Sequence, residues 1–304
     1  MGAVGRSSAR TSASFAPGHL TGVFRPALDA RDPRARGSLG AGLVLSLGAR
    51  AAARWSPGGA RRIRIASDLG GSLPISEEVA RRLVGGERGT LELFLAHELP
   101  VGRGFGMSAA GALATALATG DLLGRNRKES IATAHLADLF GGGGLGGVAA
   151  ILGGGFEVRS RAGISPWGAV DHRPFPFPVW VASAGGPMPS FPLLTDPGFL
   201  TRVSRAARDG IEALERSPTP ANFLSRSEEF TDRLALGPAP VRRLLRKLRT
   251  QGAWAAQAML GRTVFAVAPN SAVRRRLVNA FDSAGVHAVE LGVSRLGARR
   301  TRLR

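Results

Sequence analysis

The stretch "PVGRGFGMSAAG" (100–111) sets three glycines, Gly102, Gly104 and Gly106, just ahead of a Met-Ser-Ala-Ala run that opens a helix-like pattern, and the strand-like "LELFLAHE" (91–98) precedes it. Strand, glycine-rich turn and helix is the arrangement in which backbone N–H groups at a helix start converge on an anion. A phosphate is the expected guest. Two common phosphate motifs fail, however. A Walker A loop needs Gly-Lys-Ser/Thr, and the chain's two lysines, Lys128 and Lys247, follow no glycine. A dinucleotide fingerprint needs a third glycine where Met107 stands, and the formal match inside "GGGGLGG" (141–147) follows a helix-like segment rather than a strand. Taken alone, the turn also fits a tight strand-to-helix connection whose small residues allow close packing.

The elements that must hold this turn are mixed α and β. At 304 residues and 44% hydrophobic content, the chain is long enough for a sizeable core and one large or two modest domains. Alternating or continuous apolar runs predict strands over 12–16, 41–55, 61–67, 91–98 and 155–161. Helices are expected near 107–121 and 128–140, with several more between 197 and 260. The chain then reads strand ("RTVFAVA"), helix (271–284, capped by Asn270 and stopped by Gly285) and strand ("VHAVEL"), a β-α-β module. Prolines at 166, 174, 176 and 178, with Pro187 further on, make continuous regular structure unexpected across "PWGAVDHRPFPFP", and a domain boundary is placed there. No repeat of fixed period is present.

No apolar run approaches the roughly 20 residues of a membrane span, and "MGAVGRSSARTSAS" lacks the apolar core of a secretory signal, its first ten residues reading as a loose tail. With no cysteine, disulfides and thiolate metal sites are excluded, and a cytoplasmic location is expected. The 41 Lys+Arg against 22 Asp+Glu give a net charge of +19, which attracts polyanions. The basic residues are nevertheless spread along the whole chain, tyrosine is absent and no aromatic–arginine stacking motif occurs, so nucleic acid is not the expected partner. The run "PVRRLLRKLRT" (240–250) reads as a helix with a solvated basic face, because Val241, Leu244, Leu245 and Leu248 fall at helical spacing, and the tail "RLGARRTRLR" as a frayed end.

The stretch "PVGRGFGMSAAGALATALA" resembles the second motif of the GHMP kinase superfamily, which includes galactokinase, homoserine kinase and mevalonate kinase and is written P-x-x-x-G-L-G-S-S-A-A. It is closer still to the archaeal pantoate kinases, whose turn reads G-x-G-F-G-T-S. Three further blocks agree in order: "SFAPGHLTGVF" (14–24), "AHLADLFGGGGLGGVAAILGGGFEVR" (134–159) and "AQAMLGRTVFAV" (256–267). The resemblance covers about residues 12–268. It implies the α+β fold of the GHMP kinases: an N-terminal nucleotide-binding domain over 12–172, like domain 2 of ribosomal protein S5, and a ferredoxin-like α+β domain over 173–304. It also implies ATP-dependent phosphorylation of the 4-hydroxyl of pantoate on the route to coenzyme A, with Mg²⁺ and no membrane association; a homodimer is compatible with it.

Phosphoryl transfer asks a protein for positioning and charge neutralisation, and the resemblance assigns residues on that basis. Pro100, Gly102, Gly104, Gly106, Met107, Ser108 and Ala109 are expected around the ATP phosphates. Ser108 and Asp138 are assigned to Mg²⁺, Asp138 standing where the family commonly has Glu. His19, Arg159 and Ser190 are assigned to the acceptor, Arg159 offering the fork that a carboxylate fits; Ser108, Asp138 and Arg159 are the expected catalytic residues.

One departure stands out. Where the pantoate kinases often read G-T-G-L-G-D-V, this chain has Gly147 at the acidic position. An aspartate near there is regarded as the base in mevalonate kinase and galactokinase, while homoserine kinase works without one; Asp171 and His172 are the candidate substitutes. Three readings stay open: a pantoate kinase, a related kinase for another hydroxy acid or polyol, and a non-catalytic binder of nucleotides or polyanions.

Overall fold

The computed structural model describes residues 8–302. Residues 1–7 of the expected tail lie outside them, and Arg10 already opens a strand. In chain order the first half runs β1 (Arg10–Ala27), β2 (Gly37–Pro57), β3 (Arg62–Ser67), α1 (Pro74–Val84), β4 (Gly89–His97), α2 (Met107–Leu122), α3 (Arg127–Phe140), α4 (Gly147–Ala150), β5 (Phe156–Arg161) and β6 (Ala169–Arg173). The second runs β7 (Val179–Ser183), α5 (Phe191–Leu194), α6 (Pro197–Arg216), α7 (Pro220–Leu234), α8 (Ala239–Thr250), β8 (Trp254–Gln257), β9 (Thr263–Val267), α9 (Ser271–Asp282), β10 (Val289–Leu291) and β11 (Arg299–Thr301). No helix among the described residues is long and apolar enough to cross a membrane.

The first sheet is ordered β11-β1-β2-β4-β3, with β5 on β2 and β6 on β5. β2 is long enough to serve two partners: Gly40–Leu43 pair with β5, and Ala49–Pro57 pair with β4. β1 packs against α2, α6 and α7, so its burial is continuous rather than alternating, and the short strand expected at 12–16 is the visible part of an 18-residue one. α2 is built from Ala, Gly, Leu and Thr and is buried almost all round, between the sheet and the helices α1 and α3. Small side chains let it sit that close.

The second sheet is ordered β10-β7-β9-β8. β7 is antiparallel to both β9 and β10, so the expected β-α-β module exists with β7 inserted between its two strands. Asn270 caps α9 by accepting from the Val273 N–H. α8 buries Val241, Leu244, Leu245 and Leu248 and turns Arg242, Arg243 and Arg246 to solvent, as the spacing predicts.

The proline-rich stretch carries no continuous regular structure, though Ala169–Arg173 fits between its prolines as β6 and pairs with β5. One expectation is corrected: the C-terminal run is not frayed. β11 pairs antiparallel with β1, and Arg300 forms an ion pair with Asp121; residues 303–304 lie outside the described residues. A cut at 172/173 therefore separates β11 from the sheet to which it belongs.

The two sheets are joined through aromatic packing. Phe223 of α7 is fully buried, with its ring centroid 4.9 Å from that of Phe156 on β5 and 6.3 Å from that of Phe265 on β9. Phe223→Ala removes this link, and the loss of a buried ring with incomplete collapse costs about 3–5 kcal/mol. Urea unfolding should show that fall in stability; a change below about 1 kcal/mol would mean that the joint lies elsewhere.

Candidate active site

A cavity of about 230 Å³ opens where the turn before α2, the loop before α4, β1 and the segment 188–194 meet. Gly102, Gly104 and Gly106 have φ of 73°, 95° and 63°, all in the region that favours glycine, and Gly106 is the N-cap of α2. The turn thus delivers the start of α2, with its free N–H groups and positive dipole end, to the cavity wall at Met107, Ser108 and Ala109. The close-packing reading of the turn also holds in part. A methyl on Gly106 would stand 3.1 Å from His19 Cβ, and one on Gly104 would stand 2.9 Å from the Ala258 carbonyl oxygen. Pro100 is exposed and does not line the cavity.

Asp138 lies near the end of α3 with 2% exposure, and its Oδ1 has no hydrogen-bond partner. Burial pushes its pKa from 3.8 up to about 7, and the Ser108 hydroxyl offsets this only in part. Both side chains face the same spot: a Cβ added to Gly143 would meet Asp138 Oδ1 and, at 2.7 Å, Ser108 Oγ. An orphaned carboxylate oxygen and a hydroxyl converging on a space that only glycine leaves free fit a small hard cation.

On the opposite wall Arg159 is 2% exposed, its Nη1 donating to Glu157 while its Nε has no partner. Nε and the Ser38 hydroxyl both approach the space above Gly146, at 2.9 and 2.5 Å from where a Cβ would be. Glu157 is completely buried. Burial would push its pKa up, but the Arg159 guanidinium and His19 outweigh that and hold it below the ordinary carboxylate value. His19 lines the cavity, and burial lowers its pKa despite the neighbouring Glu157, so the ring is neutral at pH 7. Ser190 also lines the cavity, but its hydroxyl donates to the Gly142 and Gly143 carbonyls, bracing the loop that faces Asp138.

Glu157, Ser38 and Thr21 were not identified from sequence. A signal existed for the first: Glu157 and Arg159 are two apart on a strand and so share a face. Neither substitute base lies here. Asp171 is exposed and paired with Arg173, His172 engages the Gly154 carbonyl oxygen, and neither lines the cavity. At Gly147 the backbone does not demand glycine, but space does: a Cβ would stand 2.7 Å from the Ala109 methyl.

The model of the GHMP kinases N-terminal domain matches residues 75–155. Over 265 residues the chain is 31% identical to the pantoate kinase of Thermococcus kodakarensis, covering 84% of this chain and 86% of that one. The chain belongs to the pantoate kinase family. The pantoate kinase of Methanospirillum hungatei is 28% identical over 269 residues, covering 84% and 86% of the two chains. Among solved structures, a phosphotransferase related to the CoA biosynthesis pathway superposes with a TM-score of 0.86 at 27% identity, covering 96% of this chain and 99% of the other. Homoserine kinase from Cytophaga hutchinsonii shares the GHMP fold at a TM-score of 0.68 and 16% identity, covering 99% of each chain.

The sign of one pH effect follows from Asp138. Its folded pKa, about 7, exceeds the ordinary 3.8, so the stability gained from the neutral form is complete below pH 3.8 and lost as pH rises through 7. Asp138→Asn should therefore stabilise the nucleotide-free protein at pH 8 by roughly 2 to 4 kcal/mol, with little effect at pH 4, while turnover falls. Denaturation curves at the two pH values check this; equal effects at both would show that the carboxyl titrates normally.

Proposed function

We infer that this chain transfers the terminal phosphoryl group of ATP to the 4-hydroxyl of pantoate, giving 4-phosphopantoate for coenzyme A synthesis in the cytoplasm. The observation that carries this reading is the single cavity that unites the α2 N-terminus, Asp138 and Arg159 in a chain of the pantoate kinase family.

In this reading the turn 102–106 and the first N–H groups of α2 hold the ATP phosphates. Ser108 and Asp138 would hold Mg²⁺, with the substrate phosphates completing its shell, and the ion would neutralise charge on the transferring group. The guanidinium of Arg159 and the Ser38 hydroxyl take the pantoate carboxylate. Phe24, Leu145, Met188, Leu194 and Met259 give the cavity an apolar wall for the two methyl groups of pantoate. Homoserine would instead bring an ammonium group to that wall.

Among the described residues lining the cavity, Asp138 is the one acidic side chain. No separate carboxylate is available to take the hydroxyl proton, since the Ala109 methyl occupies the space beside Gly147. A loose transition state demands little proton removal before the new bond forms, so the proton leaves late, to a phosphoryl oxygen or to water. A positioned base is worth on the order of 10² to 10⁴ in rate. The enzyme is accordingly slow but active. Gly147 also favours the alternative, a nucleotide binder without turnover.

ADP release measured with pantoate, homoserine and mevalonate separates these readings: pantoate alone should support turnover, and ATP binding without any pantoate-dependent ADP would establish the alternative. At position 147, Gly147→Ala and Gly147→Asp should both lower kcat through the contact with Ala109. The double variant Ala109→Gly/Gly147→Asp should exceed wild-type kcat, at a helix cost of about 1 kcal/mol. If the double variant is no faster than Gly147→Asp alone, the Ala109 methyl is not what excludes the carboxylate.

A further inference from the structure

Both ring nitrogens of His19 are engaged inside the protein. Nε2 lies 2.9 Å from Glu157 Oε1, and Nδ1 lies 3.2 Å from Thr21 Oγ1. An ionised carboxylate only accepts, so Nε2 carries the proton and Nδ1 accepts from the threonine. No polar side-chain atom remains for substrate. The contacts of His19 instead run toward two different parts of the site.

On one side its backbone N–H donates to the Phe105 carbonyl oxygen at 2.8 Å, and its Cβ packs on Gly106 in the phosphate turn. On the other side the imidazole reaches from β1 over β2 to β5. Gly42 of β2 pairs with Thr21 of β1 and with Glu157 of β5, and a Cβ there would stand 2.3 Å from His19 Nε2. The glycine is the gap through which the ring passes. Glu157 Oε1 accepts in turn from Arg159 Nη1, and Arg159 faces the cavity. One residue, 2% exposed, thus touches the turn through its backbone and Cβ and steers the guanidinium through its ring.

We propose that His19 is a positioning residue that couples the two halves of the site, so that nucleotide in the turn and the orientation of Arg159 are thermodynamically linked through Glu157. Close-packed interiors transmit displacement, and such coupling is reciprocal: whatever the nucleotide does to acceptor affinity, the acceptor does to nucleotide affinity. The inference rests on the assignment of the turn to ATP and of Arg159 to pantoate.

Calorimetry with ADP and pantoate tests it. Glu157 does not line the cavity, yet Glu157→Gln should weaken ADP binding about fivefold or more, whereas in a His19→Leu background the same change should alter it less than twofold. His19→Gln, whose amide nitrogen reproduces the donor toward Glu157, should keep the wild-type response of ADP affinity to Glu157→Gln. ADP should also change pantoate affinity in wild type and His19→Gln but not in His19→Leu. If His19→Leu does not fold, His19→Asn, whose amide stops short of Glu157, takes its place. The coupling is overturned if Glu157→Gln folds and leaves ADP affinity unchanged, or weakens it equally in both backgrounds. If the ADP cycle behaves as expected and wild type binds no pantoate, the coupling stands and the acceptor assignment falls.

Discussion

A carboxylate with no solvent exposure, Glu157, sets the terms for the middle of this structure. Taking such a charge out of water costs several kcal/mol unless partners replace the solvent, and the partners come from two strands. β1 supplies His19, β5 supplies Arg159, and β2 between them must give way where the imidazole and the guanidinium pass, which it does at Gly42 and Gly40. The register of three strands and the identity of two glycines thus answer to one buried charge. The long β2 strand, shared between β5 and β4, carries that register to the far side of the sheet.

The glycine turn 102–106 answers to a different constraint, the close approach of α2 to everything around it. A helix end can act on an anion only if its N–H groups reach the cavity unscreened, and after Met107 and Ser108 the run Ala109, Ala110 and Gly111 in the first turns of α2 offers nothing beyond Cβ. The same tight packing leaves polar atoms of cavity-lining residues without partners: Asp138 Oδ1 and Arg159 Nε. Unpaired buried groups oppose folding. They make chemical sense where ligands are meant to supply what the protein withholds, which is the usual conflict between a site and its scaffold.

Legibility in the sequence followed local pattern. The turn, α2, α3, the solvated face of α8 and the final β-α-β showed themselves through spacing and capping residues, and four ordered blocks carried the family resemblance. What stayed hidden depended on contacts distant in sequence. β1 shows no clean alternation because helices bury it along its length, β6 hides among prolines, and β11 is a strand only because the β1 edge is there to receive it. In the site, Arg159 and Asp138 stood in recognisable blocks. Glu157 stood in the same block, two residues from Arg159, yet its role needs His19, 138 residues away. The commitment of both His19 nitrogens, and the Ala109 methyl beside Gly147, are facts of three-dimensional packing that no spacing rule reports.

The pairing of β11 with β1 has a consequence for how the chain is made. Synthesis delivers β1 long before β11, so the edge of β1 stays open while more than 270 intervening residues are added. An unpaired strand edge is a template for association with other chains, and contacts this distant in sequence are slow to close. The second sheet is therefore a long excursion in a layer whose β11 rung is added only after the second sheet has been made. A nascent chain halted before residue 299 would hold every residue that lines the cavity and still present an open β edge.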